Sequence, residues 1–320
     1  MLSQEVLLSR TAHTLYWMGR YLERAENVAR FVDVNLLLMI DLPQVEKQHW
    51  EALVMTSGDI ELFHEHYSDT TQKNVIQFLT FDLDNPNSIF STVRQTRENA
   101  RTVREIISTD LWEQVNTFYL MIQEATEKNE ILYSPHEFFS NVKKECYLFE
   151  GILHSTMSRQ ESFYFIRLGR YLERADKTAR ILDVVNFMPA VDPENIQQTF
   201  QMIQWIAVLK SVSALQMFQQ NFRDISAENI YQFLILDKAF GRSIYYCLQR
   251  SLTFLKLISR EDTRVRFSND AEKMMGKLKS ELDYADIHEI YETGIHQYLD
   301  TLQIKINQLD TILYDTFFRF

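Results

Sequence analysis

Residues 19–34 read GRYLERAENVARFVDV, and residues 169–184 read GRYLERADKTARILDV. Eleven of the sixteen positions are identical at an offset of 150, seven of them in one unbroken run. A second match follows in the same order. Residues 74–89 (NVIQFLTFDLDNPNSI) align with 229–244 (NIYQFLILDKAFGRSI) at an offset of 155, with seven identities in sixteen. Recurrence in order and at nearly constant spacing marks an internal repeat. It divides the chain into a first helical repeat over 1–150 and a second over 151–320. A weaker echo pairs Gly151-Ile152-Leu153-His154 with Gly294-Ile295-His296.

The first motif is a helix by its period. Leu15, Met18, Leu22, Ala25, Ala29, Val32 and Leu36 step by three and four, which lays one apolar stripe along a helix. Phe165, Leu168, Leu172, Ala175, Ala179 and Leu182 do the same in the second copy. Ser9 and Pro43 bracket the first helix, and Ser158 and Pro189 the second. The small alanines on each stripe admit a close neighbour. Further helices are expected at 45–66, 71–81, 87–107, 110–128, 135–157, 194–221, 226–237, 239–259, 268–283 and 285–318. Only 7 glycines and 5 prolines occur in 320 residues, too few for the tight turns of a β-rich fold. No Gly/Ser-rich linker separates the copies. The expected fold is all-α: a duplicated, pseudo-two-fold helical bundle with long motif helices, packed as one compact unit.

A net charge of −11 argues against nucleic acid as a partner. Cys146 and Cys247 have no metal or redox spacing and suit a reducing compartment. Met1 to Glu5 show no basic segment leading into an apolar run, so no signal peptide is expected. Apolar runs such as Leu36 to Ile40 are too short to span a bilayer. The expectation is a cytoplasmic protein without a membrane partner. A homo-oligomer stays open.

The chemistry has to sit on the charged faces. Arg20, Glu23, Arg24, Asn27 and Arg30 lie opposite the first stripe, and Arg170, Glu173, Arg174, Lys177 and Arg180 opposite the second. Asp33 and Asp183 also match. A solvated face tolerates exchange of one polar residue for another, yet here arginines and glutamate recur while apolar neighbours changed (Phe31 against Ile181, Val32 against Leu182). Arginine binds carboxylate or phosphate in a bidentate manner, so the arginines are candidate substrate or anion ligands, and two such faces could meet at a central polar seam. A second set, Arg94, Arg97, Arg101 and Arg104, flanks the core stripe of its helix, and the second copy lacks it. Glu23 and Glu173 are the candidate catalytic groups, although a carboxylate ringed by arginines stays ionised and suits orienting an arginine or receiving an amine better than proton transfer. The plain alternative makes all these charges surface ion pairs of ~0.3–0.5 kcal/mol each. Glu61-Leu62-Phe63-His64 has the Glu-x-x-His spacing of di-iron bundles, but no second such motif of matching context appears. There is no phosphate loop, nucleophile elbow or zinc spacing, and neither a metal nor a cofactor is expected. His13, His154 and His296, with Tyr16, Trp17 and Tyr21, read as packing residues.

Taken together, these motifs resemble the alpha-E family, named for its helical content and its glutamate motif. Leu8-Ser9-Arg10 through Tyr16-Trp17-Met18-Gly19-Arg20-Tyr21-Leu22-Glu23-Arg24-Ala25-Glu26-Asn27 carries the first signature. Arg97 to Glu105, followed by Trp112-Glu113 and Asn116, carries the second, and Gly169 to Arg180 the repeated one. The resemblance covers essentially the whole length. It implies a companion of a circularly permuted ATP-grasp ligase, in a setting of amide-bond formation or processing in a small peptide, and carries the residues over as motif positions without assigned roles. Three readings follow. The first is a helical partner or companion enzyme of such a ligase, binding an acidic or peptide-like substrate at the arginine seam. The second is a non-catalytic scaffold whose repeated charges are structural, and the third a metal-dependent helical enzyme. The residues leave open whether the chain is itself catalytic.

Overall fold

A computed structural model describes residues 7–41, 46–128, 131, 133–187, 196–259 and 267–319. The described residues are helical throughout, with no strand among them. In chain order the helices are α1 (Ser9–Asp41), α2 (Glu46–Ser57), α3 (Ile60–His66), α4 (Gln72–Thr80), α5 (Ile89–Thr102), α6 (Thr109–Glu127) and α7 (Pro135–Thr156). Then come α8 (Glu161–Phe187), α9 (Ile196–Ser211), α10 (Leu215–Asn221), α11 (Ala227–Tyr231), α12 (Ile244–Ser259), α13 (Asp270–Asp283), α14 (Ile287–Thr293) and α15 (Ile295–Leu313). Short π-helical turns, Gln232–Leu236 and Tyr314–Phe318, extend α11 and α15.

The motif helices α1 and α8 lie against each other at the centre. α5 and α7 cover α1, and α12 and α15 cover α8. Leu15, Met18, Leu22, Ala25, Ala29 and Val32 are buried, as are Phe165, Leu168, Leu172, Ala175, Ala179 and Leu182. Burial does not stop at the stripe. Arg20, Glu23, Glu26, Asn27, Arg30 and Asp33 are buried too, so α1 is enclosed on its charged side as well. A surface of ion pairs at a few tenths of a kcal/mol each is therefore not what these residues form.

Local features recur between the halves. Phe63 and Tyr67 stack at 5.1 Å with Phe78 edge-on to Phe63, and Phe218 and Phe222 stack at 5.0 Å with Phe233 edge-on to Phe218. The Ser88 hydroxyl accepts from Ser91 N–H at the start of α5, and the Ser243 hydroxyl from Tyr246 N–H at the start of α12. These are helix N-caps.

Several expected helices are interrupted. The 45–66 segment breaks at Gly58, whose φ of 85° is the left-handed turn glycine accepts readily. The 194–221 segment breaks at Ser213, φ 53°, and 285–318 at Gly294, φ 112°. α5 ends at Thr102 rather than 107, and α12 begins at Ile244 rather than 239. Ser9 is the first residue of its helix, not the residue before it. α8 starts at Glu161, three residues after Ser158. Pro43 and Pro189 lie outside the described residues.

Candidate functional site

Two glycines let α1 and α8 touch backbone to backbone. A Cβ on Gly19 would lie 2.2 Å from the carbonyl oxygen of Ile166, and a Cβ on Gly169 2.2 Å from that of Tyr16. No side chain fits in either place. The contact is reciprocal, and it brings the residue after each glycine, and those one turn on, face to face.

Each motif glutamate is then bound by the arginines of the other helix. Glu173 accepts from Arg20 Nε at 2.6 Å and from Arg24 Nε at 2.7 Å and Nη2 at 3.1 Å. Glu23 accepts from Arg170 Nε at 3.1 Å and Nη2 at 2.9 Å, and from Arg174 Nε at 2.8 Å and Nη2 at 2.7 Å. Both carboxylates are fully buried. Burial opposes their ionisation, but the guanidinium groups outweigh it. Arg174, Arg170 and Arg242 hold the Glu23 carboxyl well below the usual carboxylate range, and Arg24 and Arg20 do the same to Glu173. Neither glutamate carries a proton to donate near neutrality, and neither presents a basic lone pair.

The outer ends of the seam are closed in parallel ways. Arg20 Nη1 reaches Asp310 on α15 at 2.9 Å, and Arg170 Nη1 reaches Glu150 on α7 at 2.5 Å. Further along, His136 of α7 bonds Asp33 at 2.7 Å, and His296 of α15 bonds Asp183 at 2.7 Å. These contacts pair α7 with α15 at an offset of 160, from 136 to 296 and from 150 to 310. The echo of Gly151 with Gly294 is at the wrong offset: Gly151 lies within α7, whereas Gly294 precedes α15.

The two sides of the seam differ at one exchange. Around Glu23, α1 contributes Asn27, whose amide donates to Glu23 at 2.9 Å, and the loop before α12 contributes Arg242, which bonds Glu23 at 3.0 Å and also Glu26. Around Glu173 the types are swapped. The helix contributes the cation, Lys177, and the loop before α5 contributes the amide, Asn87, which accepts from Arg24. Arg242 makes direct hydrogen bonds, but Lys177 does not. Its ammonium lies 3.6 Å from Asp176 and 3.8 Å from Glu173, beyond hydrogen-bond reach. Burial pushes its pKa down, against the pull of those two carboxylates.

Beside Lys177 a cleft opens, lined by Arg24, Asp59, Asn87, Lys177 and Arg180 together with the apolar Val28, Phe31, Leu79 and Ile181. Its open space is about 30 Å³, enough for one or two waters or a small polar head group. Arg180 uses Nε on Asp176 at 2.9 Å, and its Nη1 lies against Gly58. Asp59 accepts from Asn87 at 2.8 Å through Oδ1, while its buried Oδ2 has no partner.

The remaining candidates are elsewhere. Arg30 is buried and bonds Glu26 and Tyr147. Arg97 bonds Asn116 at 2.8 Å and lies over Tyr119, Arg101 pairs with Glu98, and Arg104 lies over Trp112. Arg101 is 67% exposed, and none of these three lines the cleft. Glu61 and His64 are exposed on α3. Among the described residues, His66, Asp82 and Asp84 form one close group of metal-capable side chains, and Asp183, His296 and Asp300 another. In the first, Asp82 is already bonded by Tyr67 and by Asp84 N–H. In the second, Asp183 is bonded by His296 and Asn186. His13 packs among Trp17, Tyr314 and Phe318. Both cysteines are buried and free. Reading from sequence missed Asn87, Asp59 and Arg242. The aligned loops, DNPNSI and AFGRSI, place Asn87 opposite Arg242, and that exchange was the available signal.

The profile of the Alpha-E family, described as a predicted alpha-helical domain with a conserved ER motif, matches residues 7–318. The chain belongs to the Alpha-E family. Glu-Arg occurs twice in this Alpha-E protein, at Glu23-Arg24 and Glu173-Arg174. Both copies stand at the seam. Uncharacterised proteins of Mycobacterium bovis and Mycobacterium tuberculosis are each 20% identical to it over 306 residues, 89% of this chain and 33% of the relative. The Alpha-E chain thus spans about a third of the length of the curated relatives it matches. No solved structure matches it.

Proposed function

We propose that this Alpha-E chain is the helical companion of an ATP-grasp amide ligase and receives the polar end of an acidic or peptide-like substrate in the Lys177 cleft. The repeated charges serve as the brace that sets the two motif helices, which keeps the structural part of the scaffold reading. The observation that carries the binding role is the part-buried Lys177 ammonium, which pairs with Asp176 and Glu173 by charge at 3.6 and 3.8 Å without hydrogen-bonding either, beside a cleft open to a small group. An ammonium held by charge alone at those distances keeps donors free for a ligand oxygen. The family match and the relatives, in which the matching region is a third of a longer chain, support a unit that works beside another domain.

The reading includes a duplicated, pseudo-two-fold architecture with units 1–150 and 151–320. It is supported by the reciprocal glycine contacts and by the paired partners of Glu23 and Glu173. It also includes a cytoplasmic setting, since ATP and a reducing compartment suit two free thiols. No described helix is long and apolar enough to cross a membrane. The test is co-purification of the tagged chain with the ATP-grasp ligase from the same genome, followed by amide formation with and without the chain. A stable complex that raises ligase turnover, lost in Lys177→Met, is expected. A ligase that neither binds the chain nor responds to it would overturn the reading.

A further inference from the structure

The Asp33–His136 contact and its copy, Asp183–His296, are built alike but neutralised differently. In the first half Asp33 Oδ1 bonds His136 Nδ1 at 2.7 Å, and Asp33 Oδ2 accepts from the Lys143 ammonium at 2.7 Å. In the second half Asp183 Oδ1 bonds His296 Nδ1 at 2.7 Å. The residue at the offset of 160 from Lys143 is Gln303, and no described lysine or arginine pairs with Asp183. No described residue donates to Asp183 Oδ2, although this side chain is only 4% exposed. An acid stands nearby instead. One turn along α15 from His296 comes Asp300, where α7 has Ser140. Asp300 Oδ2 lies 3.6 Å from His296 Nε2, and Asp300 too has no described lysine or arginine partner. Ligand atoms of Asp183, His296 and Asp300 all lie within 4.8 Å of one another. The half that lacks the ammonium thus carries the extra carboxylate.

The contacts decide which imidazole nitrogen is free. Asp183 accepts from the Nδ1–H of His296, which selects the tautomer with its lone pair on Nε2. Phe187 packs edge-on to the same ring at 5.8 Å and holds its plane. Nε2 then faces Asp300 Oδ2 as one acceptor facing another, an arrangement that calls for a cation between them. Their 3.6 Å separation is near the spacing of about 3.4 Å between two ligands that each lie about 2.1 Å from a tetrahedral zinc. Both residues are open to solvent, His296 at 49% and Asp300 at 54%, so an ion can enter and water can complete its shell. We infer that His296 Nε2 and Asp300 bind a zinc-class divalent cation, with Asp183 as the positioning residue behind the imidazole. A nitrogen ligand suits zinc over magnesium or calcium, which take oxygen. The ion supplies on the second half the positive charge that Lys143 supplies on the first, and through Asp183 it fastens α15 to α8. None of these residues lines the Lys177 cleft, so the site stands independently of the companion reading.

The test titrates the full chain, first stripped with chelator, with Zn2+, and with Mg2+ and Ca2+ as controls. Histidine NMR signals and melting temperature are the readouts. Zn2+ should shift the His296 ring signals and raise the melting temperature, because an ion that binds the native state stabilises it. Mg2+ and Ca2+ should do neither. His296→Gln should abolish the response, and Asp300→Ser, which installs the residue of the first half, should weaken binding by about tenfold or more. Asp183→Asn should also weaken it and should mix the two His296 tautomers in nitrogen NMR, a signature that loss of packing alone would not give. The double variant Ser140→Asp with Lys143→Gln writes the second-half pattern into the first and should add a second equivalent of Zn2+, seen at His136. Zn2+ that leaves the His296 signals unmoved, an equal affinity after Asp300→Ser, a matching response to Mg2+, or a folded double variant that gains no equivalent would each overturn the site.

Discussion

Glu23 accepts hydrogen bonds from three arginines and one asparagine, and all its arginine partners come from residues 170 and beyond. Removing it takes from Arg174 its carboxylate partner and leaves Arg170 with Glu26 and Glu150 and Arg242 with Glu26. Glu23→Ala should destabilise the fold by about 3–5 kcal/mol, the range for breaking a buried ion pair from one side, measurable by urea denaturation. Glu23→Gln keeps the acceptor oxygen and should fall between it and wild type. Two histidines give the pH dependence opposite signs. Burial lowers His49 from 6.5 to about 4. The unfolded chain takes up that proton first, so the contribution of neutral His49 is full above pH 6.5 and is lost as pH falls towards 4. The hydrogen bond to Asp183 raises His296 above 6.5. Its contribution is full below 6.5 and is lost as pH rises through the raised value. An NMR titration resolving His49 near 4 and His296 above 6.5 checks both; a reversed order would contradict the two environments.

At the scale of the helix, the crossing of α1 and α8 turns on two positions without side chains. Gly19→Ala or Gly169→Ala must push the helices apart, because the obstructing atom is a backbone oxygen that cannot rotate away. Each should cost at least ~2 kcal/mol. The two substitutions act on one contact, so the double variant should lose less than the sum of the singles in a denaturant series. The helices themselves were legible in the sequence, since a stripe at three- and four-residue spacing has one structural meaning. The recurrence of Arg20, Glu23 and Arg24 as Arg170, Glu173 and Arg174 pointed to the seam. What covers the charged face was not legible, because periodicity assigns residues to faces and is silent about the neighbour of each face. The matching of α7 with α15 was hidden for a related reason. It rests on single positions such as His136 with His296, too few to register as a repeat. The cleft depends on loop residues, Asn87 and Asp59, whose placement comes from the left-handed turn at Gly58 and the cap at Ser88.

Across the whole molecule the two halves complete each other's charges. Residues 1–157 alone would bury Glu23 with none of its arginines, and 158–320 alone would bury Glu173 with none of those from α1. Neither half should reach native helicity by circular dichroism when expressed separately, and mixing them should recover it in a 1:1 complex. Independent native folding of either half would contradict a shared core. The crossed pairing also sets a timetable for the chain as it leaves the ribosome. Glu23 precedes its first arginine partner by 147 residues, or about 7–30 s of synthesis at ~5–20 residues per second. Throughout that interval α1 carries an acidic group that it cannot bury, so the emerging first half has to stay open. Glu173, by contrast, is made when Arg20 and Arg24 are already waiting. Docking of the newborn α8 onto α1 is then the event that closes both halves at once, and a translational pause placed before residue 170 would prolong the most exposed state of the nascent protein.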